Sequence, residues 1–103
     1  MSERIKGRIE QTIRQTVASL IMLKVKDPRV ADVSILRVDV SKDYSIAKIY
    51  FNLIGGSEPE KVAEAEKGLQ SSRGYMRMHV KKHLKLRVIP ELVFKYDSSL
   101  DRA

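Results

Sequence analysis

The stretch VSILRVDVSKDYSIAKIYFNLI, residues 33–54, contains two apolar, β-branched runs separated by a polar turn. Apolar and polar residues alternate in both runs, partly over residues 33–40 and more regularly over residues 46–54, as expected for strands with one buried face. The segment 41–44 is short and polar enough to form the turn between the two strands. The stretch therefore predicts an antiparallel β-hairpin. We expect its buried face to comprise Leu36, Val38 and Val40 from the first strand, and Ala47, Ile49, Phe51 and Leu53 from the second.

The segment before the hairpin has helical periodicity. Its apolar residues recur at steps of three and four, which places them on one face of a helix over residues 3–24. Ser2 can cap this helix, and Pro28 disfavours helical backbone at Asp27, so a turn follows. The predicted buried face comprises Ile5, Ile9, Ile13, Val17, Leu20 and Ile21.

Two further helices are predicted after the hairpin. Gly55 and Gly56 end the second strand, and Ser57 or Glu58 can cap a helix that has Pro59 in its first turn. Because glycine weakens a helix, we expect a break at Gly74 and a third helix after it. The apolar stripe of the second helix is Val62, Ala65 and Leu69, and that of the third is Met76, Val80 and Leu84.

A final strand completes the predicted fold. Leu92, Phe94 and Tyr96 alternate with Val93 and Lys95 in a strand that is entered through Pro90. The element order is helix, strand, strand, helix, helix, strand, in a chain whose 103 residues suit one domain. We therefore predict a single α+β domain, residues 1–103, in which a three-stranded sheet carries its helices on one face.

The positive charge of the chain is concentrated in two segments. Residues 1–26 contain six basic and two acidic side chains, and residues 67–90 contain seven basic and none acidic. The segment between them is net acidic. A net charge of +7 distributed in this way favours a polyanionic partner over charge that serves solubility alone.

The stretch with the highest density of positive charge is SSRGYMRMHVKKHLKLR, residues 71–87. Its apolar residues have helical spacing, and it contains six Lys or Arg and no Asp or Glu. Arg77, Lys81 and Lys85 follow one another at four-residue steps beside an apolar stripe. No zinc-finger, basic-zipper or clear helix-turn-helix pattern occurs, so RNA is favoured over duplex DNA, with contacts mainly to phosphates. The predicted RNA-binding residues are Arg73, Arg77, Lys81, Lys82, Lys85 and Arg87, joined by Arg4, Lys6, Arg8, Lys24, Lys26 and Arg29. A basic module that docks an acidic protein is the alternative.

Catalysis has no positive support in the sequence. His79 and His83 have a metal-chelating spacing, but no acid stands near them and cations surround them. Gly55-Gly56-Ser57 lacks the spacing and lysine of a phosphate-binding loop, and no nucleophile elbow occurs around Ser98. We therefore predict a protein that is not an enzyme and that has no catalytic residue, metal or cofactor; an undetected hydrolase would need a convergent site in the structure.

Four segments in this order resemble the ribosome-binding factor A family: KDPRV at 26–30, VDVSKDYSIAKIYF at 38–51, LQSSRGYMR at 69–77 and LKLRVIPELVFKYDSSL at 84–100. The resemblance implies a type II KH-like fold without the usual Gly-x-x-Gly loop. In its place the family has a helix kink marked Ala-x-Gly, which corresponds here to Ser72 and Gly74.

The same resemblance implies a function. It predicts binding to the small (30S) ribosomal subunit through 16S rRNA, with a role in late maturation and 16S rRNA processing that matters in the cold. The chain has no cysteine, no apparent signal peptide and no run long enough to span a bilayer. We therefore expect a cytoplasmic monomer with no membrane and no small-molecule substrate as partner.

Overall fold

The computed structural model describes residues 3–101, with side chains as far as Ser99. Helix α1 is Glu3–Leu23, strand β1 is Val33–Val40, strand β2 is Ile46–Leu53, helix α2 is Pro59–His83 and strand β3 is Glu91–Tyr96. Two short 3₁₀ turns, Pro28–Val30 and Ser98–Asp101, precede β1 and follow β3. The predicted α+β class is confirmed. The proposed cap Ser2 lies outside the described residues.

The three strands form one mixed sheet in the order β1-β2-β3. Strands β1 and β2 pair antiparallel, as the hairpin pattern predicts, and β3 pairs parallel to β2. The pairing of β1 slips by one residue at Leu36, between the pairs Ile35–Phe51 and Arg37–Tyr50. Such a bulge reverses the alternation of side chains on its N-terminal side. The prediction that Leu36 shares the core face is therefore wrong, because Ile35 packs against the core instead.

Both helices cover the same face of the sheet. The core is one cluster to which the apolar stripe of α1, the alternating residues of β2 and the stripe of α2 all contribute. Ile13, Phe51 and Met76 are fully buried within it. Of the predicted face of α1, only Ile5 is largely exposed, because it lies in the first turns of the helix, beyond the core. The predicted two-layer packing is confirmed.

Helix α2 is continuous, so the prediction of two helices separated at Gly74 is wrong. One glycine costs a helix only about 1 kcal/mol, and burial of Leu69 and Met76 on either side of Gly74 outweighs that cost. The backbone of Gly74 does not have a positive φ. The Ser72 hydroxyl donates to the carbonyl of Gly68 at 2.8 Å, a bond that often accompanies helix bending. A bend at Ser72–Gly74 within one helix stays a prediction.

The 3₁₀ turn Pro28–Val30 packs directly on α2. Asp27 caps this turn by accepting a hydrogen bond from the backbone N–H of Arg29 at 2.9 Å. Val30 is buried, and its Cγ1 would lie 2.7 Å from a Cβ built on Gly68. Gly68 therefore permits the close approach through which the KDPRV segment reaches the middle of α2.

Candidate nucleic-acid interface

The C-terminal half of α2 and the segment that follows it form a surface of unpaired cations. Its members lie along the C-terminal half of the helix and in the segment after it, and none of them has a carboxylate within ion-pair distance in residues 3–101. We call this set the basic face; it comprises Arg73, Lys81, Lys82, Lys85 and Arg87. Five of the six residues predicted in the C-terminal half of the chain therefore lack an acidic partner among the described residues. Lys81 and Arg87 line one groove, whereas Arg73 and Lys82 project from opposite sides of the helix.

A groove of about 530 Å³ runs between α2 and the segment before β3, beside the basic face. Met78 and Val88, which are 51% and 59% exposed, form apolar patches in it. A Cβ at Gly74 would meet nothing within 4 Å, so the helix backbone is open to the groove there. Lys81 and Arg87 also line it. The groove can hold apolar parts of a nucleotide while the two cations contact phosphate.

Arg77 lines the same groove but has protein partners. Its Nη2 donates to the carbonyl of Ile89 at 2.8 Å, and its Nε donates to that of Pro90 at 3.3 Å. These bonds attach the segment before β3 to α2 and so hold Arg87 across the groove from Lys81. The prediction that Arg77 acts as a phosphate contact remains untested, whereas its role in shaping the groove is visible in the fold.

The six cations predicted in the N-terminal part do not form one patch. Arg4 and Lys24 lie at opposite ends of α1, separated by about 30 Å along the helix axis. Lys6 lies 3.9 Å from Glu10 and 3.6 Å from Asp39, so its charge is balanced locally. Arg8 and Lys26 are exposed and have no ion pair in the described part of the chain.

Arg29 is also committed to a structural partner. Its guanidinium binds the Asp27 carboxylate in a fork geometry, with the shortest contact at 2.7 Å, and this lowers the pKa of Asp27. Sequence alone suggests a free cation here, because the return of Arg29 onto a carboxylate two residues earlier depends on the 3₁₀ turn. Its contribution to RNA binding stays a prediction.

Three tyrosines outside β3, Tyr44, Tyr50 and Tyr75, could stack on bases, and among them Tyr75 has the exposed ring. Tyr44, in the left-handed region at φ 61°, packs against the core, and Tyr50 is covered by the Arg37 guanidinium at 4.0 Å. Tyr75 is 40% exposed and meets the ring of His79 edge-on at 4.6 Å. The face is therefore suited to contacts with the nucleic-acid backbone more than to stacking on successive bases.

Carboxylates with lowered pKa values stabilise turns and strand ends. Arg37 donates to Asp97 at 2.7 Å and, together with Ser99, lowers the pKa of Asp97 to about 2. Hydrogen bonds from Ser45 and Ser41 lower the pKa of Asp43 to about 2 in the hairpin turn.

Within residues 3–101, no group of three or more His, Cys, Asp or Glu side chains is arranged to hold a metal ion.

The sequence interpretation missed the apolar residues of the groove. Met78 follows Arg77 on α2, and Val88 follows Arg87 in the extended segment, so each alternates with a predicted cation. The signal was present, because both are apolar residues outside the predicted buried stripes.

No helix in the described residues is long and apolar enough to cross a membrane.

Comparison with known proteins identifies relatives of one kind. Residues 5–103 match the family model described as ribosome-binding factor A. The chain is 45% identical over 92 residues to ribosome-binding factor A of Pelobacter propionicus, covering 89% of this chain and 74% of that protein. It is 42% identical over 95 residues to that of Pseudomonas fluorescens, covering 92% and 71% respectively.

Solved structures agree with the fold. The crystal structure of ribosome-binding factor A from Thermus thermophilus matches with a TM-score of 0.74 at 23% identity, covering 88% of this chain and 94% of that one. The solution structure of a Thermotoga maritima protein described as a putative ribosome binding factor A matches with a TM-score of 0.70 at 25% identity, covering 97% and 90%. The predicted KH-like fold is confirmed, with the two predicted C-terminal helices joined into one.

Proposed function

The chain belongs to the ribosome-binding factor A family, and from this premise we propose that it binds the small ribosomal subunit through 16S rRNA and assists late maturation of that subunit. The proposal includes a role in 16S rRNA processing and in growth in the cold. We further propose that the protein acts in the cytoplasm as a monomer, by binding and without catalysis. The observation that supports it most directly is the basic face, five cations without a carboxylate partner in the described residues.

A related structure supports the choice of partner. It is a homology model of Thermus thermophilus ribosome binding factor A fitted into a cryo-electron-microscopy map of a 30S–RbfA complex, and its fold matches this chain with a TM-score of 0.71 at 21% identity. The match covers 95% of this chain and 100% of that one. The shared fold makes a comparable way of docking on the small subunit reasonable to test here.

Stabilisation of the helix explains only part of the basic face. Lys81 and Lys82 lie in the last turn of α2, where cations interact favourably with the helix dipole. Arg73 lies more than two turns earlier, and Arg87 lies beyond the helix end, so the dipole does not account for them. Arg37, by contrast, is an exposed cation with an acidic partner, Asp97. A polyanion would balance the charge that the fold leaves unpaired.

The decisive measurement is the salt dependence of binding to purified small subunits. A triple variant in which Arg73, Lys81 and Arg87 are each replaced by Gln should bind small subunits more weakly. It should also reduce the slope of log K against log salt by about 2 to 3, because each phosphate contact accounts for about 0.7–0.9 of that slope. The matched control replaces three exposed lysines away from the face, Lys42, Lys48 and Lys95, and removes the same net charge. Equal slopes for the two variants would contradict the proposal.

The protein partner is tested in the same experiment. Small subunits treated with nuclease should no longer retain the wild-type chain if rRNA carries the interaction. Retention at full affinity after the rRNA has been degraded would instead indicate an acidic protein as the partner.

A further inference from the structure

A second groove lies on the other flank of α2, where α2 faces α1. Its volume is about 410 Å³, and we call it the α1–α2 groove. It is separate from the groove beside β3, because it contains none of the same residues. Its lining comprises Thr12, Gln15, Thr16, Ser19, Leu20, Leu23, Lys24, His79 and His83.

Seven of the nine residues that line the α1–α2 groove have a side-chain group that can donate a hydrogen bond, and Leu20 and Leu23 add apolar surface. Three hydroxyls and one amide come from α1, two imidazoles come from α2, Lys24 adds a positive charge, and no carboxylate lines the groove. In the part of the chain that the structure describes, the side chains of Thr12, Thr16 and Ser19 have no hydrogen-bond partner. They are therefore available to a ligand that supplies oxygen acceptors.

The groove also connects cations that the fold otherwise separates. Arg8 is four residues before Thr12, so both lie on the same flank of α1, one turn apart. Lys24 lies at the other end of the groove, and Lys82 precedes His83 on α2. A ligand that followed the groove would thus pass from Arg8 to the neighbourhood of the basic face.

We propose that the α1–α2 groove is a second RNA-binding site. It binds the sugar–phosphate backbone of a single-stranded segment of the same RNA that is bound at the basic face. Thr12, Thr16 and Ser19 donate to phosphate or ribose oxygens, and the imidazoles of His79 and His83 face them from α2. The ligand is a chain of anions and hydroxyls, which matches an acid-free, hydroxyl-rich lining better than an apolar or acidic peptide would. The C-terminal half of α2 is then contacted by RNA on both flanks. This inference rests on the proposed function.

The test removes hydroxyls without removing charge. The variant Thr12→Val/Thr16→Val/Ser19→Ala keeps side-chain size at the two threonines and should bind small subunits about 10- to 100-fold more weakly, since each neutral hydrogen bond contributes modestly. Its salt slope should equal that of the wild type, because no cation is lost. The control Ser57→Ala/Ser98→Ala removes two hydroxyls outside the groove and should bind normally.

A second measurement uses the wild-type chain. The methyl signals of Thr12 and Thr16 should shift in NMR spectra on addition of a uridine-only RNA oligonucleotide, whereas those of Ala63, on the outer side of α2, should not. If the triple variant bound small subunits with wild-type affinity, or if the threonine methyl signals did not shift, the proposal of a second RNA-binding site would be wrong. Failure of the wild-type chain to bind small subunits would instead overturn the proposed function, so the two failures are distinguishable.

Discussion

Replacing Gly68 with Ala tests whether the KDPRV segment and α2 are in the close contact that the structure shows. The new Cβ would lie 2.7 Å from Val30 Cγ1, 3.2 Å from Arg29 Cβ and 3.3 Å from Asp27 Oδ2. Val30 cannot move aside easily, because it is buried and its branched side chain is stiff. Arg29 Cβ is equally constrained by the 3₁₀ turn. The substitution should therefore displace the turn from the helix.

The magnitude follows from two opposing effects. Alanine is preferred over glycine in a helix by about 1 kcal/mol, whereas an extra methyl group in a packed site costs about 1–3 kcal/mol. Gly74→Ala supplies the control, because it lies in the same helix, has no positive φ and has open space around its Cβ. Gly74→Ala should therefore raise the free energy of unfolding by about 1 kcal/mol. The difference between the two variants isolates the clash, which we expect to be about 1–3 kcal/mol.

Urea unfolding followed by circular dichroism at one pH measures both variants against the wild type. Linear extrapolation gives the free energy of unfolding, and equal m-values would show that the unfolded states are comparable. In a thermal scan, a difference of about 1 kcal/mol should appear as a shift of about 4–8 °C for a domain of this size. If Gly68→Ala stabilised the protein as much as Gly74→Ala, the close packing at Val30 and the reasoning built on it would be refuted.

Two other predictions concern side chains that stabilise the ends of elements. Arg77→Lys keeps the charge but loses the paired bonds to the carbonyls of Ile89 and Pro90, so urea unfolding should show a loss of about 1 kcal/mol; wild-type stability would show that these bonds are not needed. Asp97 has its pKa lowered from 3.8 to about 2, so its contribution to stability should be complete above about pH 4 and decline as the pH falls toward 2. An NMR titration that placed the pKa of the Asp97 carboxyl near 3.8 would contradict this, and Asp97→Asn should remove that part of the acid sensitivity.

Sequence periodicity predicted the elements whose side chains face a single core. Helix α1 and strand β2 follow their apolar patterns closely, since burial on one face sets the spacing of apolar residues in each. The bulge at Leu36 could not be predicted in this way. One extra residue in β1 changes which side chains face inward, and nothing in the local composition marks where the strand accommodates it.

The break predicted at Gly74 shows a different limit. A glycine inside a helical pattern suggests a backbone requirement, although the apolar stripe continues on either side of it. Gly68 lies in the same helix and has no distinguishing signal in the sequence, yet it is the glycine that a tertiary contact requires. Whether a glycine is needed depends on what lies opposite its missing Cβ, and that information comes from segments distant in the sequence.

The same limit applies to the cations, and it sharpens the candidate interface. By sequence, Lys6, Arg29 and Arg77 are equivalent to Lys81 and Arg87, since all are basic residues predicted to bind RNA. The fold separates them: the first two meet carboxylates, and Arg77 meets backbone carbonyls, whereas Lys81 and Arg87 have no acidic partner in the described residues. Arg77 holds the segment that carries Arg87, and Arg29 holds the 3₁₀ turn that packs on α2. Loss of binding in a variant of the first kind would therefore reflect altered geometry, and only the unpaired cations should change the salt slope as well as the affinity.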